Sequence, residues 1–163
     1  MGKEWIEALA KEIREKNREA AEEYGRAQHY AGIVAKEGKA FFVALAASLR
    51  DNVDGLRSQL QGDVTAADTV VASSRPDEVR ITRARFPWVD ARLTHREDTI
   101  LLDYAKGPGT EGDPAVERKS RSFAFKVAGN DSLYVEDGFA EPPRRYERAE
   151  DLAREITEFL FRV

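Results

Sequence analysis

The chain contains no cysteine among its 163 residues, which excludes disulfides, thiol catalysis and zinc sites with cysteine ligands. It also has no long hydrophobic run. The most apolar stretch, residues 40–49, is only ten residues long and is too short to cross a bilayer. The first residues are charged and lack the apolar core of a signal peptide. We therefore expect a soluble, cytoplasmic protein without a membrane partner.

The balance of residue types is that of a folded protein. Hydrophobic residues make up 42% and charged residues 34%, which argues against global disorder. The net charge of −4 gives no general attraction to nucleic acid or to anionic membranes. Arginine outnumbers lysine by 18 to 8, a usage common in GC-rich bacterial genomes. The length suits one ordinary domain that buries a real core.

Proline is absent between Lys3 and Gln61, and apolar residues there recur every three, four or seven positions. This spacing places them on one face of a helix. Glutamates four residues before lysines or arginines further favour helix. The first apolar stripe comprises Ile6, Leu9, Ile13, Ala20, Tyr24, Ala27, Ala31 and Val34, and the second comprises Phe42, Leu45, Leu49, Val53, Leu56 and Leu60.

Two arrangements fit this helical third. One continuous helix would be about 87 Å long, whereas a compact domain of this size is roughly 40 Å across. A helical hairpin that turns at residues 37–39 is therefore preferred, with Gly38 in the position that often ends a helix. No serine, threonine, aspartate or asparagine follows to cap a second helix. The alternative of one long helix stays open.

The two arms of such a hairpin are unequal. Pairing them backwards from the turn leaves Trp5, Ile6, Leu9 and Ile13 without a partner inside the hairpin. Four large apolar side chains on one face seldom remain in water. We therefore predict that they form an interaction surface, and that the chain is a non-enzymatic module that associates with itself or with another protein.

The remainder of the chain predicts an antiparallel sheet and a closing helix. Residues 63–77 are small and polar and are interpreted as a linker between a helical arm (1–62) and a sheet unit (78–163), with a possible short strand at 69–72. Alternating patterns then predict four to five strands in a meander. The candidates are residues 78–86, 89–95, 99–105, 119–127 and 132–136. Residues 148–162 form an amphipathic pattern that predicts a helix on one sheet face, so the fold class is α+β.

The central hairpin of this sheet allows a prediction of register. Apolar residues fall at odd positions in 89–93 and at even positions in 100–104, and both sets must share a face. A two-residue loop at Glu97 and Asp98 pairs Arg92 with Asp103, which is a favourable pair of opposite charges. We predict this register.

No motif for nucleotide binding or hydrolysis is present. His29 has no second ligand at helical spacing, and His95, next to Arg96, Glu97 and Asp98, is interpreted as part of a charged hairpin tip. We predict no catalytic residue, no metal site and no cofactor.

Basic residues on the predicted strands give an alternative function. Arg83 and Arg85 share the parity of the apolar face of their strand. With Arg121 they could recognise a small anionic ligand in a cleft walled by Trp88 and Tyr104. Nucleic acid is not expected, because acidic residues interleave with the basic ones and the aromatic pattern of RNA-binding sheets is absent.

Overall fold

The computed structural model describes residues 2–60, 69–83, 88–107 and 117–162. Over these described residues it has the predicted α+β class, with two helices and a seven-stranded sheet, more strands than the predicted four to five. In chain order the elements are α1 (Glu4–Gln59), β1 (Thr69–Arg75), β2 (Glu78–Arg83), β3 (Trp88–His95), β4 (Thr99–Gly107), β5 (Lys119–Val127), β6 (Leu133–Asp137), β7 (Arg144–Tyr146) and α2 (Ala149–Phe161).

The first helix is continuous over 56 residues and therefore about 84 Å long. The preferred hairpin is wrong, and the alternative of one long helix is the arrangement observed. Gly38 lies inside the helix and is buried. A Cβ atom there would lie 3.5 Å from the Phe125 ring and 3.6 Å from His95 Nε2. Such a Cβ atom would make ordinary van der Waals contact with both rings, and the glycine makes no turn.

The sheet is an antiparallel meander with the strands in sequence order, as predicted. Arg92 lies opposite Asp103, which confirms the predicted register and its two-residue loop. Leu93 also lies opposite Leu102, so the two apolar sets do share a face.

Two strands differ from the prediction. β1 extends the possible short strand at 69–72 to Arg75 and occupies much of the segment interpreted as a linker. β7, which pairs with residues 135–137, was not predicted, because three residues that include two arginines carry no alternating pattern. Residues 84–86 of the strand predicted at 78–86 lie outside the described residues. The division into arm, linker and sheet unit stays a prediction.

The core lies between one sheet face and the two helices. From α1 only the second half contributes, and α2 lies beside it, as the closing-helix prediction required. The buried helical side chains at this interface are Phe42, Leu45, Leu49, Leu152, Ile156 and Leu160. The other sheet face carries ion pairs such as Arg80–Asp90 at 3.3 Å and Arg92–Glu78 at 3.4 Å. Neither described helix is both long and apolar enough to cross a membrane.

Candidate interaction surface

The first half of α1 projects beyond the sheet. Residues 4–32 are exposed except for the half-buried Ala10, and continuous burial begins only near Gly38. We call residues 4–34 the arm. At 1.5 Å per residue it is about 45 Å long, so more than half of the helix has no cover from its own sheet.

The apolar residues of the arm continue the stripe that packs on the sheet. Ile6 and Phe42 are 36 residues apart, which is about ten turns of a regular helix, so both lie on the same side of α1. We call the apolar residues on this side the arm stripe: Ile6, Leu9, Ile13, Ala20, Tyr24, Ala27, Ala31 and Val34. The stripe therefore runs from open solvent directly into the core.

The predicted interaction residues occupy the outer end of this stripe and are exposed. Trp5 is 64% exposed, Ile6 44%, Leu9 46% and Ile13 49%. Among the described residues, no other element covers them. Large apolar side chains clustered in this way commonly mark contact with another protein surface.

A groove opens at the inner end of the arm stripe, where the arm meets the sheet. One wall is α1 from Tyr30 to Ala35, and the other is formed by the β3–β4 turn and the end of β5. Its volume is about 1090 Å³. We call this space the groove. Its apolar lining includes Ala31, Val34, Phe125 and Val127, so a helix seated there would contact apolar side chains from both walls.

His95 lies between the groove and the core. Its ring stacks on Phe42 and meets Phe125 edge-on, each with ring centroids 5.5 Å apart. Burial lowers the pKa of the His95 imidazole, and the charge of Asp77 opposes this effect only in part. His95 was interpreted as part of a charged hairpin tip. Its ring instead packs against two aromatic side chains, and burial favours its neutral form. Within the described ranges, no group of three or more His, Asp or Glu side chains could hold a metal ion.

The other histidine fixes the inner end of the arm. His29 Nε2 lies 2.9 Å from Asp131 Oδ2 in the β5–β6 turn. Asp131 has a φ of 62°, a backbone conformation that aspartate tolerates better than most residues. This contact joins the arm to the sheet directly beside the groove, since Tyr30 is the next residue.

The residues predicted to bind an anion are not all brought together. Arg121 and Tyr104 line one cavity of about 420 Å³ beside α2. Arg83 is buried elsewhere, next to Val53 and Phe161. Trp88 lies on the opposite sheet face from Tyr104, since Tyr104 pairs with Ala91, three residues along β3 from Trp88. Arg85 lies outside the described residues.

The cavity beside α2 is electrically balanced. Arg121 forms an ion pair with the fully buried Asp137 and a second, at 3.5 Å, with Glu155. Arg144 approaches the same Glu155 at 3.7 Å. Two arginines thus face two carboxylates, and an incoming anion would have to compete with both. Anion binding by Arg83, Arg121, Trp88 and Tyr104 stays a prediction, and this geometry favours it less than the interaction surface.

Sequence reasoning missed the groove as a site. The first apolar stripe included Ala31 and Val34. Sequence reasoning could not place the β5 residues opposite them, because that juxtaposition depends on α1 continuing straight through Gly38. The available signal was the missing helix cap after Gly38.

Comparison with protein-family models, with curated proteins and with solved structures finds no significant match to this chain.

Proposed function

We propose that this chain is a non-enzymatic interaction module that associates, with itself or with a second protein, through the apolar face of its arm. The observation that carries the proposal is the continuity between the exposed arm stripe and the core-facing side of α1. The same helix face that buries Phe42 and Leu45 carries Ile6, Leu9 and Ile13 outside the sheet.

The magnitude of the available burial supports this function. Fully burying a leucine-sized side chain contributes about 1.5–3 kcal/mol. Ile6, Leu9 and Ile13 are each close to half exposed, so covering them and Trp5 contributes several kcal/mol per chain. This is comparable to the lower estimates, roughly 4 kcal/mol, of the entropic cost of association. The apolar lining of the groove adds to the surface that a partner would cover.

The arm is also well built to remain helical before a partner arrives. Lys16 and Glu12 form an ion pair at 3.2 Å across one turn, and Arg18 and Glu22 approach at 4.0 Å. Such pairs each add about 0.2–0.5 kcal/mol to a helix. A helix that is already formed loses less conformational entropy on binding than a disordered segment does.

Sedimentation equilibrium of the purified chain tests this function. We expect a mass above the 18.3 kDa of one chain, and we expect Ile13→Glu to return it to one chain because a charge would then lie within the arm stripe. Ala8→Glu is the matched control, since residue 8 lies in the same region on the opposite side of the helix and should leave the mass unchanged.

The proposal also predicts the effect of removing residues 1–16. Association should be lost while the circular dichroism of the sheet and of the remaining helix persists. If the full chain has the mass of one chain at every concentration, and if the deletion changes neither mass nor stability, the proposal is contradicted.

A further inference from the structure

We infer that the partner is a second copy of this chain, and that the two arms pair antiparallel, with residues 5–10 of each copy in the groove of the other. This inference rests on the proposed function and specifies its partner and geometry. Four features of the described residues support it: the position of the sheet, the length of the arm, the sizes of the stripe residues and the charges beside them.

The position of the sheet favours antiparallel over parallel pairing. The sheet lies on the same side of α1 as the arm stripe and covers that side from Gly38 onward. In a parallel pair with facing stripes, each sheet would occupy the space of the other copy's helix. In an antiparallel pair, the N-terminus of the partner's helix lies near Gly38 of the first copy, at the point where the sheet of the first copy begins to cover α1. Only the antiparallel arrangement avoids the collision.

The length of the arm matches this geometry. The helix begins at Glu4 and first packs on the sheet near Gly38, with the contact between His29 and Asp131 beside the groove. A partner helix that lies along the arm with its Ile6 opposite Val34 uses the whole exposed stripe. The two-fold axis then passes close to Ala20, midway between the two.

The groove is large enough for the segment it would receive. A helix about 10 Å in diameter that rises 1.5 Å per residue occupies roughly 120 Å³ per residue. The open groove of about 1090 Å³ therefore has room for residues 5–10, which occupy roughly 720 Å³ as a helix. In the register with Ile6 opposite Val34, these residues face the α1 wall from Tyr30 to Ala35.

The arm-stripe residues of two copies are complementary in size only when the two helices run antiparallel. The outer half of the stripe carries large side chains, and the inner half carries mostly small ones. Antiparallel pairing about Ala20 sets Leu9 against Ala31 and Ile13 against Ala27, so two large side chains of each outer arm meet small ones, which allows close packing. The layers are Ile6 with Val34, Leu9 with Ala31, Ile13 with Ala27, Lys16 with Tyr24, and Ala20 with Ala20. Parallel pairing would instead set large side chains against large ones and leave Lys16 facing Lys16.

The charges beside the stripe agree with the same register. Lys16 and Glu23 lie on the same flank of the stripe, seven residues apart in one chain. Since equivalent flanks of two antiparallel helices adjoin, each Lys16 meets Glu23 of the other copy, and the contact occurs twice.

The expected interface is large enough for a stable dimer. Each copy contributes the eight residues of the arm stripe, Trp5 and nine further described residues of the groove, which is close to the lower end of the standard range. Standard interfaces, which bury about 800 Å² per partner, have 20–30 residues on each side.

The absence of cysteine allows a direct test of register by introduced thiols. In the full chain, Ala20→Cys should give a covalent dimer with a short bifunctional thiol reagent, since the two residues adjoin at the two-fold axis. Ile6→Cys should not, because Ile6 lies opposite Val34, and the two Ile6 positions are about 42 Å apart. The double variant Ile6→Cys, Val34→Cys should cross-link. Ala8→Cys, on the opposite side of the arm, is the matched negative control.

The outcomes separate this inference from the proposed function. If the chain has the mass of a dimer but Ile6→Cys alone cross-links, or Ala20→Cys does not, the antiparallel register is overturned while association through the arm stands. If every variant and the unaltered chain have the mass of one chain, both the register and self-association are overturned.

A charge exchange gives an independent readout. Lys16→Glu and Glu23→Lys should each weaken the dimer roughly two- to thirtyfold, since each alters two surface ion pairs. The double variant should return the dissociation constant to near its original value. Weakening in both single variants without recovery in the double variant would overturn the proposed pairing of Lys16 with Glu23.

Discussion

At the scale of single residues, His95 shows how the sheet and the long helix depend on one another. Its ring is held between Phe42 of α1 and Phe125 of β5, and its Nε2 atom has no hydrogen-bond partner within the described residues. A neutral imidazole tolerates this position, whereas a charged imidazolium would lose hydration there, and the charge of Asp77 compensates for that loss only in part. The stability of the helix–sheet contact should therefore depend on pH.

We predict that this histidine makes the protein less stable in mild acid. Because burial lowers the pKa of His95 in the folded state below its ordinary value of 6.5, the unfolded chain takes up a proton first as the pH falls. The favourable contribution of the neutral ring is present above about pH 6.5 and decreases as the pH falls toward the folded-state pKa. Urea unfolding at pH 8 and pH 5.5 should show a smaller loss of stability for His95→Gln than for the unaltered chain.

For each protein, the unfolding free energy at pH 5.5 is compared with that at pH 8. Because all other titrating groups are common to the two proteins, the difference between the two losses reports on His95. Equal losses of unfolding free energy between the two pH values would show that the His95 pKa is the same in the folded and unfolded states. A smaller loss in the unaltered chain would reverse the sign and contradict the account of burial.

At the scale of secondary-structure elements, α1 performs two different tasks along one continuous length. Its second half is a core element, because Leu45 and Leu49 are fully buried, whereas its first half lies in solvent. The division between the halves is set by where the sheet ends, and the apolar repeat itself continues through both.

We predict that large-to-small substitutions will distinguish the buried side from the exposed side of the second half of α1. Leu45→Ala should lower the free energy of unfolding by about 2–5 kcal/mol, because it leaves a cavity between α1 and the sheet. Val43→Ala is the matched control: Val43 is 57% exposed, and its replacement should change stability by no more than about 0.5 kcal/mol. Denaturant titration of both variants tests this; similar effects would mean that α1 does not pack on the sheet by this face.

The elements also show what could be predicted from sequence. The alternation of apolar and polar residues in 89–95 and 99–105 predicted both strands, their shared face and the pairing of Arg92 with Asp103. In a half-buried strand, this alternation shows which residues face the core. Gly38 did not reveal its role in the same way. A glycine that ends a helix cannot be told by its identity from a glycine that is buried inside one, and the ring beside Gly38, Phe125, is distant in sequence.

The same limit applies to the candidate site. The exposure of Trp5, Ile6 and Leu9 was expected from the unequal arms of a helical hairpin, and that hairpin is wrong. They are exposed because one continuous helix carries them beyond the sheet. The groove was not expected, because its two walls come from α1 and from β5, and no local pattern relates Val34 to Val127. The separation of Arg83 from Arg121 likewise depends on the sheet as a whole and not on either strand alone.

At the scale of the whole molecule, the structure combines a well-packed unit with a long helical extension, and these should differ in local stability. Within one chain, the arm has few tertiary contacts, so its amides should open without unfolding the core. Pairing of two arms would remove this difference, since opening one arm would then also require separating the dimer. The state of association should therefore be visible in the exchange of arm amides.

We predict that hydrogen exchange in residues 5–30 will be slow in the unaltered chain at high concentration and will become faster on dilution, because mass action favours the separate chains. Exchange in residues 42–53 should change much less, since the sheet covers that part of α1 in either state. Ile13→Glu should show fast arm exchange at every concentration, and Ala8→Glu should behave like the unaltered chain. Arm exchange that is equally fast at all concentrations in the unaltered chain would show that the arm stripe is not covered by a second copy.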